Sequence, residues 1–125
     1  MGAKQYQRMN VQTSVADASP HQLITMLFDG LVSRLAMAKG FIARKDYEGK
    51  SRCLGSAITI IGALQSSLDM EKGGDIAANL DRLYLYMTRR VFAAGVANDE
   101  EIIDEVVSLV KVVKEGWDGI KDEVR

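Results

Sequence analysis

The sequence has few of the residues on which disulfides, metal sites and catalysis most often depend. It contains one cysteine, one proline, one histidine and one tryptophan, and aromatic residues make up only 6% of its 125 residues. A single cysteine, Cys53, cannot form an internal disulfide, which indicates a reducing compartment, and we expect the cytoplasm. Because no second histidine is present to activate its thiol, Cys53 is predicted to be a buried structural residue.

Long apolar runs and an excess of charge of either sign are also missing. No run approaches the roughly 20 apolar residues that cross a bilayer, and residues 1–10 lack the apolar stretch of a secretory signal. Gly2 does not complete a myristoylation motif, since Tyr6 stands where that motif requires Ser or Thr. Sixteen Lys and Arg against seventeen Asp and Glu leave a net charge of −1, so no concentrated basic surface favours nucleic acid. We therefore expect neither membrane insertion nor nucleic-acid binding.

The lone histidine gives little support to an enzyme. Di-iron helical bundles carry Glu-x-x-His pairs on facing helices, whereas His21 follows a proline at a predicted helix start. A phosphotransfer bundle would carry its histidine in the middle of a helix, on an exposed face. Gly73 and Gly74 lack the lysine and the preceding strand of a phosphate-binding loop. We predict no enzyme activity, no cofactor and no metal, and we expect His21→Ala to have little effect beyond helix capping.

Helical periodicity, in contrast, runs through most of the chain. Ser19 and Pro20, with a glutamine that completes a capping box, open a first helix over about 20–44. Apolar residues recur in it at three- and four-residue steps, as an amphipathic helix requires. Asp46 caps a second helix. It is predicted to stop at residues 69–74, whose paired glycines favour turns.

The second half of the chain repeats this pattern. Asp75 is predicted to open a third helix that ends at Gly95, and Asn98 forms a capping box for a fourth with the glutamate three residues later. Four amphipathic helices of roughly 20 residues with short connections predict an all-α, antiparallel up-down four-helix bundle over residues 19–125. Residues 1–18 show no helical period and are predicted to form an extended N-terminal arm.

The predicted helices carry more apolar residues than one core is expected to bury. A helix of such a bundle needs an apolar stripe of about 100°, and three of the helices have additional rows. These rows are Leu23, Met26, Met37 and Phe41 in the first helix, Leu85 and Phe92 in the third, and Ile103, Val107, Val110 and Val112 in the fourth. Single members can simply widen the core, but together they predict a cover, which is the arm, a second copy or a client protein.

A strip of small residues on the second helix gives another indication of a partner. Its members, three or four residues apart, are Ser51, Gly55, Thr59, Gly62 and Ser66. Each interior glycine costs about 1 kcal/mol relative to alanine, so the strip needs a reason. It either packs closely against another helix of the bundle or forms a shallow groove for a partner segment. The basic pair Arg89 and Arg90 is either solvated or in contact with an acidic partner.

Five segments of the chain form a recognisable combination. They are Tyr6 with Val11–Ser14, Ser19–Gly30 (SPHQLITMLFDG), Ala57–Ile61 (AITII) with Ser67–Asp69, Asn79–Arg90 (NLDRLYLYMTRR), and Asn98–Asp99 with a late Trp117. Together they span roughly residues 6–118 and resemble the flagellin export chaperones of the FliS family. Phe92 and Gly95, at the end of the third helix, depart from the family pattern, in which leucine and asparagine are commoner.

The resemblance implies a chaperone of the flagellar type III export system. Its client would be the C-terminal segment of flagellin, which is disordered when free and wraps around the bundle in extended and helical pieces. Binding would prevent premature polymerisation in the cytoplasm and present flagellin to the export apparatus, so a component of the export gate is a further expected partner. The alternative is a homo-oligomeric bundle, at its simplest a homodimer, that has no flagellin client.

The surplus apolar rows and the small-residue strip supply candidates for the client site. Candidate groove residues are the small-residue strip together with Leu85, Phe92, Ile103, Val107 and Val110. In such proteins the N-terminal arm folds over part of the client site, and its apolar residues here are Tyr6, Met9, Val11 and Val15. We expect flagellin to displace the arm when it binds.

Overall fold

The computed structural model describes residues 17–119, and four helices account for nearly all of them. In chain order they are α1 (Pro20–Ala43), α2 (Tyr47–Ser66), α3 (Met70–Ala97) and α4 (Glu100–Gly119). Each helix packs against the next, and α4 also packs against α1, which closes an antiparallel up-down four-helix bundle. The predicted fold is therefore confirmed. The predicted arm residues Tyr6, Met9, Val11 and Val15 lie outside the described residues.

Polar caps fix the starts of α1 and α2 where the sequence predicts them. The Ser19 Oγ accepts a hydrogen bond from the Gln22 N–H at 3.1 Å, and Gln22 Oε1 accepts one from the Ser19 N–H at 2.8 Å. The Asp46 carboxylate accepts a hydrogen bond from the Gly49 N–H at 3.0 Å. These bonds satisfy N–H groups that have no partner within the helix. The capping box of α1 and the cap of α2 are both confirmed.

The start of α3 differs from the prediction. Asp69 and not Asp75 is the N-cap, and its carboxylate accepts hydrogen bonds from the N–H groups of Glu71 and Lys72. The expected glycine break lies inside the helix instead of before it. Gly74 has φ 52° and ψ −127°, a conformation that glycine adopts because it has no Cβ. The helix thus makes about one turn, kinks at Gly74 and continues.

The junction of α3 and α4 also differs from the prediction. Helix α3 continues past Gly95 to Ala97, and Asn98 ends it in the left-handed conformation with φ 52°. Asn98 is therefore the C-cap of α3 and not the N-cap of α4. The Asp99 carboxylate accepts a hydrogen bond from the Glu101 N–H at 2.9 Å in its place. Asparagine suits both kinds of cap, so its residue type alone does not distinguish them.

The core takes one apolar stripe from each helix. Its largest fully buried side chains are Phe28, Leu31, Leu35, Ile61, Leu64, Met87, Val91, Ile103, Val106 and Val110. Cys53 is buried in the same core, as predicted. The expectation that Ile103 and Val110 form a surplus row is wrong, because only 1% and 0% of their surfaces are exposed. Helix α4 has pairs of apolar residues at adjacent sequence positions. Its periodicity therefore does not decide which residue of each pair faces the core.

Candidate partner-binding groove

A groove lies between α2 and α3, where α2 begins and α3 ends. It is lined by Lys50, Ser51, Leu54, Gly55 and Ile58 of α2 and by Val91, Phe92, Gly95 and Val96 of α3. Leu54 and Val91 are buried at its floor, whereas Phe92 and Val96 are 67% and 76% exposed. Exposed apolar side chains above a buried apolar floor are typical of a surface that binds another protein.

Two members of the strip of small residues, Ser51 and Gly55, line the α2 side of this groove, and the other three follow along α2 outside it. All members of the strip are exposed or half-buried: Ser51, Gly55, Thr59, Gly62 and Ser66. A Cβ atom added to Gly55 or Gly62 would meet no other atom within 4 Å. Close packing inside the bundle therefore does not explain either glycine. At Gly49, in contrast, an added Cβ would lie 2.7 Å from the ring of Phe41, so that glycine is required for the contact between α1 and α2.

Two of the three hydroxyl groups of the strip, those of Ser51 and Thr59, donate to their own helix and not to a partner. Ser51 Oγ donates to the Tyr47 carbonyl oxygen at 2.9 Å, and Thr59 Oγ1 donates to the Gly55 carbonyl oxygen at 3.1 Å. Such bonds to the preceding turn of the same helix satisfy the hydroxyl locally. The α2 side of the groove is therefore a low surface with little demand for polar contacts, which another backbone can approach closely.

Lys50 closes the end of the groove. Its ammonium group donates to the Gly95 carbonyl oxygen at 2.8 Å and to Asn98 Oδ1 at 2.7 Å, and the residue is buried. Both acceptors lie at the C-terminal end of α3, where carbonyl groups lack helical partners and a cation is favoured. Lys50 thus ties the start of α2 to the end of α3. The only sequence signal for this role is a lysine in the first turn of a helix, where the dipole disfavours it.

Only part of the predicted groove set comes together. Leu85, 43% exposed, lies on the same side of α3 as Phe92. Val107 is half-buried against the core from α4, which does not line the groove, as is also true of the buried Ile103 and Val110. Of the other surplus residues, Phe41 packs against the core, while the rest stay exposed: Leu23, Met26, Met37 and Val112.

A larger apolar cavity lies at the opposite end of the bundle. It has a volume of about 560 Å³ and opens among the starts of α1 and α3 and the end of α4. Its lining is mostly apolar and includes Ile24, Phe28, Leu68, Ile76, Ala77, Leu80, Tyr84, Val112, Val113 and Trp117. Burial raises the pKa of Tyr84 to about 12, so its phenol is neutral at physiological pH. The sequence does not reveal this cavity, because four distant segments line it and each resembles ordinary core.

His21 packs against Trp117, one of the residues that line this end cavity. Its ring stacks on the Trp117 ring with centroids 4.4 Å apart and an interplanar angle of 8°. His21 Nε2 lies 3.0 Å from the Trp117 carbonyl oxygen, and Trp117 Nε1–H donates to the His21 carbonyl oxygen at 3.3 Å. The predicted partly exposed position of His21 is confirmed. Its contact with a residue 96 positions away, which joins α1 to α4, is new.

The described residues define a helical bundle with apolar recesses at both ends, an architecture suited to holding a segment of another protein. No group of three or more His, Cys, Asp or Glu in this part of the chain is arranged to hold a metal ion. No helix within residues 17–119 has the length and hydrophobicity that crossing a bilayer requires.

Comparisons with known proteins show the family. The model of the family described as flagellar protein FliS matches residues 2–124, and the chain belongs to this family. It is 48% identical over 117 residues to the flagellar secretion chaperone FliSB of Pseudomonas aeruginosa, with 94% of this chain and 93% of that protein covered. It is 46% identical to the flagellar secretion chaperone FliS of Salmonella typhimurium, with 93% and 87% covered. The corresponding Bacillus subtilis protein is 31% identical, with 85% and 78% covered.

Proposed function

We propose that this protein is a flagellar secretion chaperone that binds the C-terminal segment of flagellin in the cytoplasm. Binding prevents premature polymerisation and keeps flagellin available for delivery to the export apparatus. Family membership supports the chaperone role, since relatives that cover almost the whole chain carry that name. The open α2–α3 groove supports a protein client, and we infer no enzyme activity.

The observation that carries the proposal is the empty space beside Gly55, in the groove with exposed apolar side chains, and beside Gly62 two turns farther along α2. Two interior glycines reduce the stability of the free protein by about 1 kcal/mol each, and no contact within the bundle requires them. A bound segment would use that space for close approach of its backbone. It would also cover Phe92 and Val96, and full burial of one such side chain contributes about 1.5–3 kcal/mol.

A client that is disordered when free also accounts for release. Ordering such a segment consumes part of the gross interaction energy, typically about 2–5 kcal/mol. The complex then holds flagellin along a long surface without becoming permanent. A rigid prefolded client of the same buried area would dissociate more slowly, which does not suit a protein that hands its cargo to an export apparatus.

We further propose that residues 1–16 of the N-terminal arm cover the end cavity when no client is bound. The arm precedes Asp17, next to α1, and Ile24 and Phe28 of α1 line the cavity. Sixteen extended residues span up to about 53 Å, while a 20-residue helix is about 30 Å long. The arm can therefore fill the cavity and continue toward the α2–α3 groove. A flagellin segment that wraps from the groove to the end cavity would displace the arm, so client affinity then reflects the difference between two occupants of the cavity.

The decisive experiment compares full-length flagellin with flagellin that lacks its C-terminal segment, using calorimetry with the purified protein. Full-length flagellin should bind with one-to-one stoichiometry and the shortened form should not. The double variant Gly55→Leu/Gly62→Leu should weaken binding by at least about tenfold, or about 1.4 kcal/mol. Ser108→Leu, a leucine on an exposed position of α4, is the control and should bind as the wild type. Equal binding of both flagellins would contradict the proposal.

Removal of residues 1–16 tests the arm separately. If the arm competes with flagellin, its deletion should tighten client binding or, in the absence of client, promote self-association through the uncovered cavity. Calorimetry measures the first effect and analytical ultracentrifugation the second. Unchanged affinity together with an unchanged monomer would refute the competition.

The exposed residues Leu23, Met26 and Met37 on α1, each 42–44% exposed, favour one alternative. They offer a second apolar surface, on which a second copy or a component of the export gate could bind. A homo-oligomeric bundle without a client would ignore a flagellin C-terminal peptide and keep its mass when the peptide is added. Size-exclusion chromatography with light scattering, with and without the peptide, distinguishes this alternative from the chaperone.

A further inference from the structure

Two arginines lie on the exposed side of α3, beside the α2–α3 groove but not among the residues that line it. Arg82 and Arg89 are seven residues apart on α3, and both are exposed. Leu85 lies between them, and Phe92 and Val96 follow at spacings that keep all five side chains on one side of the helix. The α3 edge of the groove is therefore an apolar row bordered by two positive charges.

Of the three arginines Arg82, Arg89 and Arg90, only Arg90 has an acidic partner among the described residues. Arg90 points toward α4, where its Nε lies 2.8 Å from Glu105 Oε1. Arg82 donates to Asn79 on its own helix. Arg89 makes no ion pair and no side-chain hydrogen bond with any residue between 17 and 119. Within the described bundle, it is a cation beside a groove with its charge uncompensated.

The acidic residues close to the groove do not compensate Arg89. Asp81 accepts a hydrogen bond from Gln65 of α2 at 3.1 Å. Glu48, at the start of α2, lies 3.5 Å from Arg52 of the same helix. Arg82 and Arg89 therefore outnumber the one carboxylate on this part of α3 that has no cationic partner in the described bundle, Asp81, which is held toward α2 by Gln65.

We propose that the α2–α3 groove selects an amphipathic helix with carboxylates on the side that faces α3. One carboxylate would pair with Arg89, and a second, about seven residues away along the bound helix, would pair with Arg82. A seven-residue spacing on both helices keeps such pairs aligned, and arginine binds carboxylates with two parallel hydrogen bonds. Flagellin as the source of this helix rests on the proposed function, whereas the preference for an acidic helix does not.

The arginines would act on register and direction more than on total affinity. Exposed ion pairs at the rim of an interface contribute little to affinity, but they steer association and disfavour wrong arrangements. The apolar floor would accept an apolar helix in several positions along the groove. Two fixed charges allow only the positions in which both carboxylates are opposite an arginine.

The test uses two designed helical peptides that share one apolar stripe and differ only in the flanking residues. One peptide carries glutamates seven residues apart and the other carries lysines at the same positions. At low salt, the wild-type protein should bind the glutamate peptide at least about tenfold more tightly, and R82E/R89E should reverse the preference. Lys111→Glu, which makes the same charge change on α4, should leave the preference unchanged. Equal binding of both peptides to the wild type would overturn the inference.

A flagellin C-terminal fragment, and its form with Asp and Glu replaced by Asn and Gln, connects the inference to the client. The natural fragment should bind Arg89→Glu about tenfold more weakly than the wild type, while the neutralised fragment should not distinguish them. If the glutamate peptide binds but the flagellin fragment does not, the proposed function fails and the acidic preference stands. If the natural fragment binds the wild type and Arg89→Glu equally, the role of Arg89 is refuted while the chaperone function stands.

Discussion

Side-chain contacts join α1 and α4 at several points along the bundle. Lys39 Nζ lies 2.8 Å from Asp104 Oδ1, and Lys114 Nζ lies 3.4 Å from Asp29 Oδ1. Near one end of this α1–α4 face, His21 stacks on the tryptophan of α4. These contacts are placed at different heights, so each one opposes separation or sliding of the two helices.

The α2–α3 face is different. Lys50 links the helices at one end, and Gln65 donates to Asp81 farther along. Between these links lie Gly55, Gly62 and an apolar row that is left exposed. Side-chain contacts thus join α1 to α4 over most of their length, whereas part of the α2–α3 face stays exposed, and we propose that a partner covers it. Substitutions on the two faces should therefore differ in their effect on stability.

The largest expected effect distinguishes a core leucine from a groove phenylalanine. Leu35 is fully buried, and Leu35→Ala should lower the free energy of unfolding by about 3 kcal/mol, since it leaves a cavity. Phe92→Ala removes a larger side chain but should cost less than about 0.5 kcal/mol, because Phe92 is mostly exposed. Urea denaturation measures both. A similar loss for the two variants would show that the α2–α3 face also carries the stability of the fold.

The glycines should give a gain of stability. Gly55→Ala and Gly62→Ala should each raise the free energy of unfolding by about 1 kcal/mol, the helix preference of alanine over glycine, because space is available for the new methyl group. Gly49→Ala is the matched control and should be destabilising, since its Cβ would collide with the Phe41 ring. If alanine at Gly55 lowered stability in urea denaturation, the groove would be less open than described.

A smaller loss of stability is expected where α1 packs against α4. His21→Ala removes a stacked pair, which is worth about 0.5–1.5 kcal/mol beyond buried area, so with this contact we now expect a loss of stability in addition to the small capping effect. Trp117 is the only tryptophan, and its fluorescence should shift when its stacking partner is removed. Gln22→Ala, which weakens only the cap of α1, should leave the emission unchanged. An unaltered spectrum in His21→Ala would mean that the stack does not persist in solution.

The smallest effect concerns pH and the face between α3 and α4. The Tyr86 hydroxyl and the Arg90 guanidinium donate to the Glu105 carboxylate at 2.6 and 2.8 Å and hold its pKa below the ordinary value of 4.5. A lowered folded-state pKa gives stability that is present above the unfolded value and is lost as pH falls through the folded one. Glu105→Gln should therefore lose slightly less stability than the wild type between about pH 6 and about pH 3. If the wild type and Glu105→Gln lost the same amount of stability over this pH range in urea denaturation, Glu105 would make no such contribution.

Periodicity and capping chemistry were sufficient to predict the fold. The first two helix starts depend on local side-chain bonds, at Ser19 and Asp46, that a sequence states directly. The start of α3 was misplaced because Asp69 and Asp75 both precede helical residues, and only the backbone at Gly74 shows that the helix passes through the glycines. At Asn98 the same residue type serves either end of a helix, and the choice depends on its φ angle.

The candidate site was only partly predictable. Spacing alone placed Gly55 and Gly62 on one face and Phe92 on an extra row, because these properties belong to single helices. The role of Lys50 depends on acceptors 45 and 48 residues away, and the end cavity depends on how four segments converge. No local pattern encodes such contacts, so only the assembled bundle reveals them.

The open space beside Gly55 and Gly62 has a consequence for engineering. A screen that rewards resistance to heat will favour larger residues at both positions, because the folded chain accommodates the added atoms without strain. On the proposed function, the variants that melt last would be the ones that assemble flagella least well. Motility and thermal tolerance would then select opposite residues at the same two sites, and the residue that a laboratory population keeps would show which pressure is stronger.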